Sequence, residues 1–488
     1  MSIDTRTPVL VGAGVAHQHI DDPELAVEAV ELMAMACERA APSSLLANVR
    51  TILVPRGTWH YTDPGRLLAA RFGADAHTVV GEFGVLQQTL VTRACRAIAN
   101  DELDVALVVG GEAKYRDLRR QITGTPAAET EQSGVEPDEK LVPAQEIIPR
   151  IEIDARLTTP AAQYAVIETA LRAARGQTVD MHARELAALW AGASDIAAAN
   201  PDAWRRESIA PAFLSQPSDR NPMYCAPYTR WHCSQWNVDQ ASAFVVCSAE
   251  AAERHRVPRD MWVFPLAAVE SNAMVPLSQR GQLHRCPAVS VGGEQLAAMC
   301  GFDPRDADYL DLYSCFPSAV QVQADELGLG LERPFTVTGG MTFAGGPLDN
   351  YNLQALAKMV EVLREGPGTT GLVTCVSGMI TKHGMALWST QPPDDGFRFA
   401  DVSDETRART PILDLAPDHD GPARADGYTV VHDRRGSPER AIIVATTPDG
   451  RRCVAASTDL DLAAAMLTDE WVGRDVQVTG STFHSRSD

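Results

Sequence analysis

Two glycine pairs stand close together in Val-Thr-Gly-Gly-Met-Thr-Phe-Ala-Gly-Gly-Pro at 337–347. Gly339, Gly340, Gly345 and Gly346 let backbone approach a ligand closely, and their N–H groups can converge on a carbonyl oxygen as an oxyanion hole. Tight-turn geometry explains the same glycines equally well. On either side stand groups able to move protons or attack carbon: Tyr313, Ser314, Cys315, Asp349, Asn350, Cys375, Lys382 and His383. A tyrosine can hydrogen-bond or protonate an enolate, a histidine can serve as a base, and an asparagine can orient a carbonyl. Each has a plainer role too. Tyr313 suits a capped core tyrosine, Cys315 a packed thiol before Phe316-Pro317, His383 a polar rim, and Asn350 the N-cap of the next helix. Cys225, His232 and Cys233 do not match a zinc spacing, so no metal is expected.

These groups need a frame. Residues 104–112 form a continuous apolar run ending Gly110-Gly111-Glu112, as expected of a central strand covered on both faces. Strands are predicted at 8–14, 50–55 and 77–80. Helices are predicted at 24–40 and at 85–99, the second with Leu86, Leu90, Ala94 and Ile98 on one face. Residues 116–160 break the rhythm and read as an inserted loop region. Residues 161–175 and 180–199 read as helices, and 200–236, with Trp204, Trp231 and Trp236, as an irregular insert suited to binding. Strand and helix alternate again through 239–247, 309–316, 351–365 and 371–375, which implies a second, similar α/β half. After about 405 a Pro/Asp-rich linker at 411–425 leads to a hairpin at 428–447 and strands at 453–457 and 473–479. That strand density predicts a small OB-like β-barrel. The expected domains are 1–240 with its insert at about 116–236, 241–405, and 410–488.

The formal charge of −21 argues against nucleic acid or an anionic membrane as partner. Only Lys114, Lys140, Lys358 and Lys382 are lysines, the remaining basic residues being arginine. Ten cysteines without a Cys-x-x-Cys pair suit a reducing cytoplasm. No apolar run approaches the ~20 residues that span a bilayer, and no apolar signal core opens the chain. A cytoplasmic location is expected.

The repeated half, the strand ending in Gly110-Gly111-Glu112, the Asp239-x-Ala-x-Ala segment and the glycine blocks at 339–347 together resemble the thiolase superfamily over about residues 5–400. The segments 311–317, 338–347 and Thr381-Lys382-His383, with the C-terminal barrel, resemble the type-1 thiolase-like subgroup, close to sterol-carrier-protein-type thiolases and proteins labelled acetyl-CoA acetyltransferase. The resemblance implies two similar βαβαβ-type halves in an α-β-α-β-α layering, plus a small all-β OB-like domain.

It also implies four reacting positions, and all four are altered. The nucleophilic cysteine position falls at Gly84, the Asn or His position at Tyr313, the Gly-His-Pro histidine at Gly346, and the second cysteine at Val376, next to Cys375. Without thiolate and base, ping-pong acyl transfer lacks a nucleophile. The resemblance therefore implies a protein that binds CoA or an acyl-CoA, with no further cofactor. Tyr313, His383 and Asn350 are candidate catalytic groups, and Gly339, Gly340, Gly345, Gly346, Cys315 and Gly378 candidate contacts. Aldol or retro-aldol chemistry in lipid metabolism is one expectation; a non-catalytic acyl-CoA binding protein or subunit is the other. Monomer and homodimer both stay open. A polyanionic ligand on an acidic chain requires arginines such as Arg116, Arg119 and Arg230 at the mouth.

Overall fold

A computed structural model describes residues 3–485; the ends of the expected first and last domains, 1–2 and 486–488, lie outside the described residues. The first sheet runs in the order Pro8–Gln18, Asp239–Ser248, Val105–Ala113, Thr51–Pro55, His77–Gly81, Glu139–Leu141. Val105–Ala113 is buried at every residue, which is why its sequence is a continuous apolar run. The second sheet runs Tyr309–Asp311, Thr370–Ser377, Lys382–Ser389, Phe264–Ser271, Arg398–Asp401.

Four strands of each sheet repeat one pattern. Thr51–Pro55 is parallel to Val105–Ala113, which is antiparallel to Asp239–Ser248, which is antiparallel to Pro8–Gln18. Tyr309–Asp311, Thr370–Ser377, Lys382–Ser389 and Phe264–Ser271 repeat the order and the directions. Helices Gln87–Ala99 and Tyr351–Glu365 touch both sheets and form the middle layer. Ala29–Ala40 packs on the outer face of the first sheet and Pro287–Cys300 on that of the second. The layering is α-β-α-β-α.

Three expectations about organisation change. A boundary at 240/241 would cut the strand Asp239–Ser248, which lies inside the first sheet. The segment expected as loop at 116–160 contains most of helix Lys114–Thr123 and the strand Glu139–Leu141, which pairs in parallel with His77–Gly81 and covers that edge of the sheet. The linker expected through 425 is already strand from Asp420.

The C-terminal strands Asp420–His432, Pro438–Thr446, Arg452–Ser457, Asp475–Thr479 and Thr482–Ser485 close into a five-stranded barrel. The first pairs with the second and fourth, the third with the second and, in parallel, the fifth, and the fourth with the fifth. This is OB-like topology, with the helix Leu460–Thr468 between the third and fourth strands. The barrel has its own core around Val430, Ile443, Ala455, Trp471 and Phe483. The insert at 200–236 docks on it: Met223–Cys225 adds to the first barrel strand, with Cys225 opposite Val431. From helix Pro160–Ala174, Arg172 donates to Tyr428 Oη at 2.6 Å and to Glu470 at 2.8 Å.

Candidate active site

Helix Gln87–Ala99 begins where the strand Thr370–Ser377 ends. Cys375 lies there, its thiol facing the N–H groups of Gln87 and Gln88 and donating to Gln87 Oε1 at 2.9 Å. A helix N-terminus favours thiolate, yet burial dominates and pushes this thiol up to about 12. Gln87 Nε2 donates in turn to Asp349 Oδ1 at 2.9 Å. Asp349 keeps a partly open edge, but the protein packed on it pushes its carboxyl up to about 8, with the charge of Glu112 adding to the rise. Tyr313 lies near Cys375 and Asp349; burial raises its phenol well above the ordinary range, and both neighbours reinforce the shift.

Side-chain parity on the adjacent strand corrects two expectations. Val376 is opposite His383, and Ser377 is opposite Lys382. Alternation along a strand sends Cys375, Ser377 and Lys382 to the face of the helix N-terminus and Val376 and His383 to the other. Cys375, not Val376, therefore lies on the face of the helix N-terminus. His383 is 1% exposed, has Nε2 3.2 Å from Gln323 Oε1, and is driven by burial to about 3. It is a neutral core histidine behind the site, not a rim residue.

The glycine block also has a different reason. Buried Asp311 accepts from Thr336 Oγ1 at 2.8 Å and from the N–H groups of Val337 and Thr338 at 3.1 and 3.2 Å, fixing the loop. The Gly339 and Gly340 N–H groups donate to Thr336 Oγ1 at 3.1 and 3.2 Å, and that of Gly346 to Gln235 O at 2.8 Å. These three N–H groups are occupied and form no oxyanion hole. A Cβ at Gly339 would overlap Ala197, at Gly345 Gln240, and at Gly346 Ser234 Oγ, so these glycines let the insert, its preceding helix and the strand Asp239–Ser248 pack on the loop. At Gly378 an added Cβ would meet Met274 Sδ at 2.6 Å. Cys315 is buried and pushed up to about 12. Asn350 makes no capping hydrogen bond; both its amide atoms are buried without a partner, and Oδ1 lies 2.9 Å from where a Cβ at Gly110 would be.

A groove of about 700 Å³ lies beside Glu112, lined also by Thr58, Trp59, His60, Lys114 and Arg120. Glu112 accepts from Thr58 N at 2.8 Å and Oγ1 at 2.6 Å, and burial pushes it up to about 7. Arg116 lines the groove but donates to Ala26 O and Ala128 O, while Arg119 is held by Asp21 O. Trp204 is stacked on His19 and Trp231 packs against Phe213, which leaves Trp236 as the exposed tryptophan of the insert. His232 caps a turn through Thr229. Sequence reasoning passed over Gln87, Asp311 and Glu112. The polar ends of apolar runs were a signal for Glu112, and the Gln87-Gln88 pair at a helix start was one for Gln87.

Residues 404–481 match the thiolase-like protein type 1 additional C-terminal domain. Over 115 residues, 24% of this chain and 29% of the relative, the sequence is 29% identical to an acetyl-CoA acetyltransferase of Methanocaldococcus jannaschii; the match spans under a third of that relative's length. The fold is similar to that of a monomeric SCP2-thiolase-like protein type 1 from Mycobacterium smegmatis, at TM-score 0.83, 26% identity and full coverage of both chains. It is also similar to the Ltp2-ChsH2(DUF35) aldolase at TM-score 0.58 and 19% identity, over 79% of this chain and 98% of that one. The additional domain at one end and a fold shared along the whole length with a type-1 member together support a type-1 thiolase-like protein with a C-terminal additional domain.

Proposed function

We propose that this protein binds CoA or an acyl-CoA beside Asp349 and catalyses proton-transfer chemistry on it, such as retro-aldol cleavage of a β-hydroxyacyl-CoA in lipid metabolism, rather than thiolysis. The observation that carries this reading is the Cys375–Gln87–Asp349 chain at a helix N-terminus, with a carboxyl that changes charge near neutral pH. In the cleavage, Asp349 as carboxylate takes the β-hydroxyl proton, the Cα–Cβ bond breaks, and its electrons pass to the thioester as an enolate. Tyr313 stabilises that enolate before protonation at Cα. One structural neighbour is an aldolase, which makes carbon–carbon cleavage the first reaction class to test. The experiment is calorimetric titration with CoA and with a β-hydroxyacyl-CoA, followed by a search for aldehyde or ketone product. Binding of neither ligand would remove the reading. Product formation unchanged in Tyr313→Phe would remove Tyr313 from it.

The second reading, a non-catalytic acyl-CoA binding protein or subunit, is favoured by the buried, neutral His383 and the occupied glycine N–H groups. The two readings share one expectation. Restoring Gly346→His and Gly84→Cys together leaves acetoacetyl-CoA thiolysis absent. The first side chain overlaps Ser234, and the second needs φ +93° with its Cβ 3.1 Å from Ile147 and 3.3 Å from Pro143. Acetyl-CoA production by that variant would overturn the expectation.

We further propose a monomer, since Glu139–Leu141 covers the edge of the first sheet. Among the described residues no helix is long and apolar enough to cross a membrane, and the ten free cysteines support the reducing cytoplasm. The proposed units are 1–248, 249–405 and a barrel at about 410–488.

A further inference from the structure

Three of the four lysines sit as surface lysines usually do. Lys140 pairs with Glu136, Lys358 with Glu361 at 2.6 Å, and Lys114 lies 5.0 Å from the centre of the Trp236 ring. Lys382 differs. It is 3% exposed, and its Nζ donates to Gly84 O at 3.0 Å, an acceptor shared with Ser377 Oγ at 3.2 Å. Among the described residues no carboxylate pairs with it. Gly84 and Ser377 are both half-buried, so the amine lies directly beneath the surface at the place where the resemblance puts the missing nucleophile.

The strand end carrying Lys382 is fixed. Gly378, Met379 and Ile380 are consecutive left-handed residues, with φ +60°, +55° and +56°. A β-branched residue there is a strained outlier that surrounding structure must hold. Buried Arg280 holds it, donating from Nη2 to the carbonyls of Gly378 and Met379 at 3.1 and 2.6 Å. Desolvation lowers the Lys382 amine below its ordinary value, which enlarges its neutral, nucleophilic fraction.

We propose that Lys382 is an acyl-acceptor site: its amine attacks the carbonyl carbon of a CoA thioester lodged at Gly84 and becomes an Nε-acyl-lysine. The N–C bond forms, the C–S bond breaks, and the proton lost by nitrogen leaves on the CoA thiol, so no oxidant or co-reactant is required. The amide does not turn over, and the result is a single stoichiometric modification. The inference rests on the thioester-binding reading above.

The test incubates the full chain with acetyl-CoA at pH 8 and maps acetylation by peptide mass spectrometry. A parallel arm uses S-acetyl-N-acetylcysteamine, and a CoA titration is run on the same preparation. The expected result is a hydroxylamine-resistant acetyl group on Lys382, at least tenfold more occupied than on Lys114, Lys140 or Lys358, and absent in Lys382→Arg and Lys382→Gln. CoA binding without preferential labelling of Lys382 overturns the acceptor site and spares the thioester reading. Preferential labelling by the small thioester without CoA binding does the reverse. Even labelling of all four lysines, or none, overturns the acceptor site.

Discussion

Asp349→Asn is expected to flatten the pH dependence of stability between about pH 4 and pH 8, and to reduce any retro-aldol turnover by about 100-fold or more. The folded carboxyl is pushed up to about 8, whereas in the unfolded chain it titrates at its ordinary value of 3.8. Across that window the folded protein holds a proton that the unfolded chain has released. Its stability therefore falls as pH rises, by at most about 1.4 kcal/mol per pH unit from this group. The partly open edge of Asp349 reduces the slope below that limit. Asparagine keeps an oxygen for Gln87 Nε2 and never ionises, so it removes the slope and leaves the contact. Glu112, pushed up to about 7, and Asp239, to about 6, leave a background slope in both proteins. Urea unfolding of wild type and variant at pH 5, 6, 7 and 8 is the measurement. The variant should gain on wild type as pH rises; parallel curves would show that Asp349 ionises freely.

Arg280→Met is expected to cost about 3–5 kcal/mol. The side chain donates to Val275 O at 3.2 Å as well as to Gly378 and Met379, the first two contacts buried and the third half-buried. Its removal leaves two buried carbonyls and one half-buried one short of a donor, at about 1–3 kcal/mol for each buried group, partly recovered by relaxation. The barrel leans on the same residue: Arg452, itself buried and paired with Asp426, donates from Nη2 to Arg280 O at 2.7 Å. The barrel thus braces the strained turn through Arg280, and any CoA affinity should fall with stability. Arg280→Lys, which keeps charge but loses the fork, should lie between the two. A loss below about 1 kcal/mol in Arg280→Met would show that the turn is held by something else.

Much of the frame was legible because burial writes itself into pattern. Val105–Ala113 is covered on both faces and reads as an apolar run, and the strands Asp420–His432 and Pro438–Thr446 show short apolar runs on either side of a turn. Glu139–Leu141 was not legible: three half-polar residues on an edge carry no periodic signal. Nor was the helix Leu460–Thr468, too short for its pattern to stand out between strands. In the site, the glycine positions were visible but not their cause, because Ala197, Gln240 and Ser234 come from elements far along the chain. The Gln87–Asp349 contact joins residues 262 positions apart, which no local rule reaches. His383 was misplaced by the parity of a single residue: its neighbour Lys382 faces the helix N-terminus and it does not.

The position of Asp239–Ser248 has a consequence for how this protein is made. The strand lies between Pro8–Gln18 and Val105–Ala113, yet it follows both and is separated from the second by the entire insert. At about 5–20 residues per second on the ribosome, roughly ten seconds pass after Val105–Ala113 emerges before its partner can reach it. For that interval a strand destined to be buried at every residue waits with one edge unpaired. Newly made chains are most exposed to aggregation, and most in need of a chaperone, while the insert is still being translated.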